Sequence, residues 1–287
     1  MNSTTLELSI RQVITQNDTS LNLSNRLLRA VPSLLSDCVS LRNLYLNNND
    51  LIVPPNEISS LINLETLSLE SNSLTLLPNC LWNLTSLIRL NLSQNPLGCI
   101  SNKLSNLINL RELWLSNCSL YDLPCEIGKL IKLQKLCLKC NHIRQLPDQI
   151  GQLRLLKWLS IEDNELKDLP DSFQDLLSLS YLNMNGNRLI NIPLIIGKLK
   201  SLDVLCLQRN AIAEVNDETL LTLSSTTKVD LRENPLIQKP CHWKGLEFIL
   251  IGSCTNHLME KDNDNDNVLD NSSQNDEDNF EVCQSDE

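Results

Sequence analysis

Aromatic side chains are scarce in this 287-residue chain: four tryptophans, three tyrosines and three phenylalanines amount to 3 % of it. Its core must therefore be built from branched aliphatics, and leucine dominates them. Glycine occurs only seven times and never as a phosphate-cradling cluster, which excludes loop-bound nucleotide chemistry. Histidine occurs three times, at His142, His242 and His257, never in a motif that pairs it with a nucleophile or an orienting carboxylate. No catalytic set is visible, so neither an enzyme nor a cofactor is expected. The longest apolar run in the C-terminal part, "LEFILIG", is far too short to cross a bilayer, so membrane insertion is not expected. The opening "MNSTTLELSIRQVITQNDTS" lacks a basic start followed by an apolar stretch, so no secretory signal is expected either.

The formal charge is −11, but its location matters more than its size. From Glu260 to Glu287 there are eleven acids and one lysine, which accounts for −10 of that total. The body is close to neutral and has no basic stripe, which argues against nucleic acid as a partner. Residues 259–287 hold too little apolar content to fold and are expected to form a disordered acidic tail. Asp262, Asp264 and Asp266 imitate the start of an EF-hand loop. Position six is Asn267 and position twelve is Ser273, so calcium binding of that type is not expected. Cysteines number eleven, an odd count without the pairing of a secreted disulfide framework. A reduced, cytoplasmic protein follows as the expectation.

An internal period organises the rest. Leucines 41, 64, 87, 110, 133, 156, 179 and 202 stand 23 residues apart, each opening the same phrase, such as "LQKLCLKCNHIRQLPDQIGQLRL" from Leu133. With the opening leucine as slot 1, slots 4, 6, 11, 18 and 21 are aliphatic, slot 9 is usually Asn, and slots 14 and 15 are usually Leu-Pro or Ile-Pro. A degenerate unit begins near Asp18 and a last one at Thr226, after one inserted residue, for ten units. The phrase resembles the leucine-rich repeat over residues 18 to about 250. The resemblance implies an α/β solenoid: a horseshoe with a parallel concave β-sheet and convex loops or short helices. Slot 9 is its structural ladder, here Asn49, Asn72, Asn95, Cys118, Asn141, Asn164, Asn187, Asn210 and Asn234. An asparagine there can bridge backbone groups of adjacent coils. Cys118 reads as a buried, inert thiol, and Arg26 in slot 9 marks the first unit as transitional. The unit from Leu87 reads "NPLGCISNKL" without the Leu-Pro pair, so its convex side is expected to bulge.

Residues 1–17 are expected to form an N-terminal cap. Thr4 and Glu7 are spaced as a capping box ahead of Leu6, Ile10, Val13 and Ile14 on one helical face. The ten repeats then occupy 18–240. Residues 241–258 read as a C-terminal cap in which Trp243, Leu246, Ile249 and Leu250 pack on the final coil. A Cys241–Cys254 disulfide, as in secreted caps, is the minority reading.

"LCLKCNH", residues 136–142, has the look of half a metal site, but the repeat gives it a register. Cys137 falls in slot 5 on the concave face, Cys140 in slot 8 beyond the strand, and His142 in slot 10 in the turn, so their side chains should diverge. No second Cys/His pair with metal spacing lies nearby, and a structural zinc wants four ligands. No metal is expected.

Slots 3, 5 and 7 write out the concave face. Early units offer small polar groups: Ser20, Asn22, Ser24, Asn43, Asn47, Thr66 and Ser68, with Tyr45 alone among them. The middle presents Trp114, Lys135, Cys137, Lys139, Trp158, Glu162 and Tyr181, which together form the candidate partner-binding patch. Exposed aromatics flanked by charge are what binding hot spots look like, against the plainer reading of rings that only cover a sheet. At about 4.8 Å between strands, Trp158 and Tyr181 should be neighbours and Trp114 about 10 Å away. Arg111, Lys135, Lys139 and Lys157 suggest a partly basic rim and a partner with acidic groups, the chain's own tail being one candidate. Trp82, in slot 19, reads as local packing on the convex side.

The Leu-Pro pair with Ile127-Gly128, Ile150-Gly151 and Ile196-Gly197 resembles the intracellular, 23-residue Ras-group repeats of Scribble, Erbin and Ras-suppressor-like scaffolds. What the resemblance implies is a non-catalytic scaffold or adaptor, acting as a monomer, that binds a protein partner in intracellular signalling. The alternative is a substrate receptor or regulatory subunit of an enzyme complex such as a ubiquitin ligase or phosphatase. Only seventeen residues precede the repeats and no F-box-like segment is among them, which weighs against the ligase form.

Overall fold

In the computed structural model, each 23-residue phrase closes one coil of a solenoid; residues 3–236, 238–240, 243 and 245–253 are described. Ten of its strands take slots 3 to 5 of successive units. They are β1 (Ser20–Asn22), β2 (Asn43–Tyr45), β3 (Thr66–Ser68), β4 (Arg89–Asn91), β5 (Glu112–Trp114), β6 (Lys135–Cys137), β7 (Trp158–Ser160), β8 (Tyr181–Asn183), β9 (Val204–Cys206) and β10 (Lys228–Asp230). An eleventh, β11 (Ile249–Leu250), comes from the segment read as a cap and extends the sheet by one strand. All eleven pair in chain order, parallel, in one open curved sheet, and the register never slips: slot 3 faces slot 3 from β1 to β10. The Cys241–Cys254 pair and the acidic tail lie outside the described residues.

The leucines of slots 1, 4, 6, 11, 18 and 21 turn inward, and the buried apolar cluster runs unbroken from Leu6 to Ile249. Each such leucine contributes about 1.5–3 kcal/mol by leaving water. At the N-terminal end, helix α1 (Ser3–Gln16) covers the first coil with Leu6, Ile10 and Val13. It starts one residue ahead of Thr4, so Thr4 lies inside the helix and is not its N-cap. Asn17, at φ 55°, stops it: the backbone N–H of Asp18 reaches the Val13 carbonyl at 3.0 Å.

Convex segments are single 3₁₀ turns at slots 16 to 20 in the first eight coils, each entered through Pro except in the coil from Leu87. There Ser101 takes the proline's place and its Oγ accepts from the Lys103 N–H. The expected bulge is absent at this turn, because the hydroxyl cap holds Asn102–Asn106 to the same slots; the departure is confined to Gly98, at φ 70°. In the ninth coil the inserted residue lets the turn wind as a true α-helix, α2 (Asp217–Thr222), with Asn216 as N-cap. Trp243 is buried against this end, and its indole N–H donates to Asp217 at 3.4 Å.

Slot 19 shows how tightly these turns stack. A Cβ on Gly128 would stand 2.5 Å from the Gln149 carbonyl oxygen, and one on Gly151 2.2 Å from that of Ser172. Trp82 occupies the same slot, 1 % exposed, in the coil before the one without Leu-Pro.

The coils are tied by slot 9. Asn164 donates through Nδ2 to the carbonyls of Ile161 and Glu162 in its own coil and of Leu138 in the preceding one. Its Oδ1 accepts from the Ile143 N–H at 3.0 Å. Cys118 has one donor, which goes to Leu92 O at 3.3 Å or Ser116 O at 3.4 Å. Asn164→Ala leaves the buried Ile143 N–H without a partner, at about 1–3 kcal/mol, and takes one of two donors from each of the Leu138, Ile161 and Glu162 carbonyls. Urea denaturation should show a loss of about 3–5 kcal/mol for Asn164→Ala and about 1 kcal/mol for Cys118→Ala; equal losses would mean that the ladder amide does not hold the coils. Gly151→Ala should cost about 1–3 kcal/mol by overpacking against Ser172.

Candidate protein-binding face

Because the register is constant, slots 3, 5 and 7 become columns of side chains along the concave face. In the middle of that face three rings form a continuous row. Trp158 and Tyr181, opposite each other on β7 and β8, stack with centroids 5.5 Å apart and planes 5° from parallel. Trp114 also reaches Trp158, at 5.5 Å and 40°. The expected separation of about 10 Å from Trp114 counted strand spacings only, and the rings lie closer than that. The indole spans that gap, leaning over β6. All three rings are half-buried, each with one part open to solvent.

The charged residues around the rings are arranged differently from a basic rim. Lys135 lies 3.4 Å from Glu112, which Arg89 also approaches at 3.7 Å. Lys139 lies 3.4 Å from Glu162, and their side chains are only 16 % and 15 % exposed. Glu162 further accepts from Arg209 at 3.1 Å and from the Asn183 amide at 3.1 Å. The patch is thus nearly neutralised from within, since each basic group on the strands was drawn to a carboxylate on the adjacent coil. Arg111 and Lys157, one position ahead of β5 and β7, are exposed at the edge of the sheet.

Cys137 departs furthest from its expected role. It is 6 % exposed, with its thiol 3.0 Å from Ser116 Oγ, so it forms the floor of the patch instead of a contact surface. Its companions in "LCLKCNH" point elsewhere: Cys140 donates to Asp163 at 3.7 Å and the His142 ring stacks on Tyr121 at 5.3 Å. At the far end of the ring row, Tyr181 and the Cys206 thiol are hydrogen-bonded; burial pushes both groups upward in pKa. Among the described residues no cluster of His, Cys, Asp or Glu is set to hold a metal, and no helix is long and apolar enough to cross a membrane.

Two features were missed in the sequence. Glu165, in slot 10, gathers Arg144 at 3.1 Å, Arg188 at 3.2 Å and His142 at 3.7 Å on the turn beside the sheet. The signal was available in slot 10 of three consecutive units, His142, Glu165 and Arg188, with Arg144 two positions beyond the first. The other is a row of exposed aliphatics in slot 22, Val39, Ile62, Ile108, Ile131 and Leu177, legible as a seventh repeating position.

Comparison with known proteins agrees with this architecture. The model described as "Leucine-rich repeat region" matches residues 95–180 and 124–229, and "Leucine Rich Repeat" matches 40–61 and 63–84. No curated protein sequence matches the chain. Among solved structures, a leucine-rich-repeat protein of Leptospira interrogans is similar at 28 % identity and TM-score 0.65, over 85 % of this chain and 74 % of that one. The leucine-rich-repeat ectodomain of the Arabidopsis thaliana membrane receptor kinase GASSHO1/SCHENGEN3, in complex with Casparian strip integrity factor 2, is similar at 29 % identity and TM-score 0.68. That match covers 82 % of this chain but spans only 29 % of the plant protein. The functional domain of InlJ from Listeria monocytogenes shares the fold at 22 % identity and TM-score 0.67, over 82 % of this chain and 48 % of that one.

The thiols give a direct check on the geometry. Burial pushes Cys118 up to about 12, and partial burial with the Asp163 carboxylate pushes Cys140 up to about 11, while Cys99 is exposed. The thiolate is the reactive form. Maleimide labelling at pH 8, mapped by peptide mass, should therefore modify Cys99 first, Cys140 slowly and Cys118 only after unfolding. Native labelling of Cys118 at the rate of Cys99 would show that the ladder is open there.

Proposed function

The chain belongs to the leucine-rich-repeat superfamily, and on that premise we propose that it is a non-catalytic scaffold that holds a protein partner on its concave face in intracellular, Ras-group-type signalling. The observation that carries this reading is the row Trp114–Trp158–Tyr181. Burying an aromatic in the core would satisfy the hydrophobic effect outright, and the core does take Trp82, Phe173 and Trp243. Three other rings stand instead on the open side of the sheet, Trp158 stacked on Tyr181 and Trp114 tilted against Trp158, in a row across four strands. Rigid rings of this kind contribute large contact area at little entropic cost, which is why they dominate interface energetics. The neutralised ion pairs around them favour a partner whose contact is apolar at the centre and polar at the rim.

The cysteines support the compartment. Eight thiols, from Cys38 to Cys206, are free among the described residues, several of them exposed, as suits a reducing cytoplasm. The reading includes a monomeric scaffold, a single chain presenting the whole row.

Paired affinity purification tests the proposal, with the intact chain as one bait and Trp114→Ala/Trp158→Ala as the other, both checked for equal melting. Loss of a hot-spot aromatic typically costs about 2 kcal/mol or more, about 30-fold in affinity. A partner retained by the intact bait should be missing from the variant. Equal recovery by both would remove the ring row as the binding site.

A further inference from the structure

A second part of the concave face, over β2 to β4, holds acceptors without donors. Among the described residues, six buried side-chain polar atoms lack a hydrogen-bond partner, and two of them, Asn47 Oδ1 and Ser68 Oγ, belong to face positions adjoining that of Glu70. Ser68 is 0 % exposed and lies on β3, two residues before Glu70 on the same face. Asn47 occupies slot 7 of the coil before, as Glu70 does in its own, so the two are neighbours in one column. Among the described residues the Glu70 carboxylate accepts one hydrogen bond, from the Asn91 amide at 2.9 Å. A carboxylate can accept about four.

The protein contains a completed copy of the same arrangement, four coils along. Glu162 is also a slot-7 acid, and it also accepts from the slot-5 asparagine of the next coil, Asn183. There, slot 7 of the preceding coil is Lys139, whose ammonium lies 3.4 Å from the carboxylate, and Arg209 completes the shell. At Glu70 the position equivalent to Lys139 is Asn47, and no ion pair forms. Of the cations nearby, Arg42 pairs with Glu65 and Arg89 with Glu112, while Arg26 donates through Nη2 to the Asn22 carbonyl and its Nη1 is another of the six atoms without a partner.

We propose that Asn47, Ser68 and Glu70 form a subsite for one guanidinium or ammonium group, supplied by an arginine or lysine of the bound protein partner. The incoming cation takes the place that the Lys139 ammonium takes beside Glu162. Its N–H groups serve the Glu70 carboxylate, with Asn47 Oδ1 and Ser68 Oγ as the neutral acceptors beneath. Burial raises the Glu70 carboxyl in pKa and the Asn91 amide only opposes this, the direction expected for an acid awaiting its counter-charge. The subsite rests on the reading of the concave face as the protein-binding face. It adds a polar specificity element two strands from Trp114, within reach of one extended segment lying across both.

The test uses the full chain with ¹³C-labelled glutamate carboxyls, the Glu70 resonance being assigned through Glu70→Gln. The probe is N-acetyl-arginine methylamide, with N-acetyl-citrulline methylamide as its neutral isostere. The arginine probe should shift the Glu70 signal saturably and lower its titration midpoint, and the citrulline probe should do neither. Asn47→Lys supplies an internal ammonium, so it should lower the Glu70 midpoint by itself and abolish the response to the probe. Glu70→Gln should melt no lower than the parent at pH 7, because it removes a charge that burial penalises. An unresponsive Glu70, an equal response to citrulline, or an undiminished response in Asn47→Lys would each overturn the subsite. This readout is independent of the tryptophans: an inert Glu70 beside tryptophan-dependent partner capture rejects the subsite alone. A responsive Glu70 with tryptophan-independent capture rejects the ring row alone.

Discussion

The amide side chain at slot 9 is the constraint on which the rest of this molecule depends. One asparagine donates to two coils and accepts from the earlier one, so it fixes both their spacing and their register. Without that tie the slot-6 carbonyls, such as that of Leu138, would be buried with nothing to accept from. The exception proves informative. Cys118 keeps a donor toward Leu92 O but offers no acceptor to the preceding coil, and the Leu97 N–H turns to Asn95 O at 2.8 Å within its own chain segment. Gly98 then swings into left-handed space and its N–H meets Cys118 O at 3.0 Å. The odd phrase "NPLGC" and the odd cysteine in the next unit are two halves of one accommodation.

A fixed register turns sequence slots into columns, and that is why so much of the fold was legible. Periodic leucines announced the core, and slots 3, 5 and 7 announced the face. Slot 8 was quieter. It is left-handed in every unit, from Asn25 to Glu233, yet it holds Asn, Ser, Gln, Cys, Asp, Arg, Glu and only once Gly, at Gly186. A non-glycine residue there costs about 1–2 kcal/mol. The slot-8 N–H is kept in the inter-coil ladder, as with Asn48 to Glu70 O at 2.9 Å and Cys140 to Glu162 O at 2.9 Å, and the stacked coils on both sides enforce the turn. A demand met by context leaves only a partial mark on residue type: Asn25, Asn48, Asn117, Asp163 and Gly186 tolerate the left-handed region, while the other five are held there by the stack.

The candidate site was legible in membership but not in geometry. Strand spacing measures backbones, and an indole is longer than one spacing, so Trp114 joined a row from which the count of strands had separated it. Charge showed the same limit. Lys135 and Lys139 are basic letters, but in columns their neighbours are Glu112 and Glu162, one strand away and 23 residues distant in the chain. Cys137 reads as a face residue and is one, yet taller neighbours leave it 6 % exposed. Height above the sheet is a property of the column, and no single unit contains it.

The same column logic explains how a face can carry unfinished chemistry in a stable protein. Ladder and leucine core are made by slots 1, 4, 6, 9 and 11, and none of these is a face slot, so a face residue can change without touching the framework. Glu70 and Glu162 share a slot, a partnering asparagine and a backbone setting; two positions, Asn47 against Lys139 and Asn117 against Arg209, separate the acid left open from the one satisfied from within. Closing a pair inside the face makes that stretch self-sufficient and neutral. Leaving one open costs little in a solenoid held elsewhere, and it keeps a charge in reserve for whatever lies along the sheet. Stability and recognition are thereby assigned to different slots of the same 23-residue phrase.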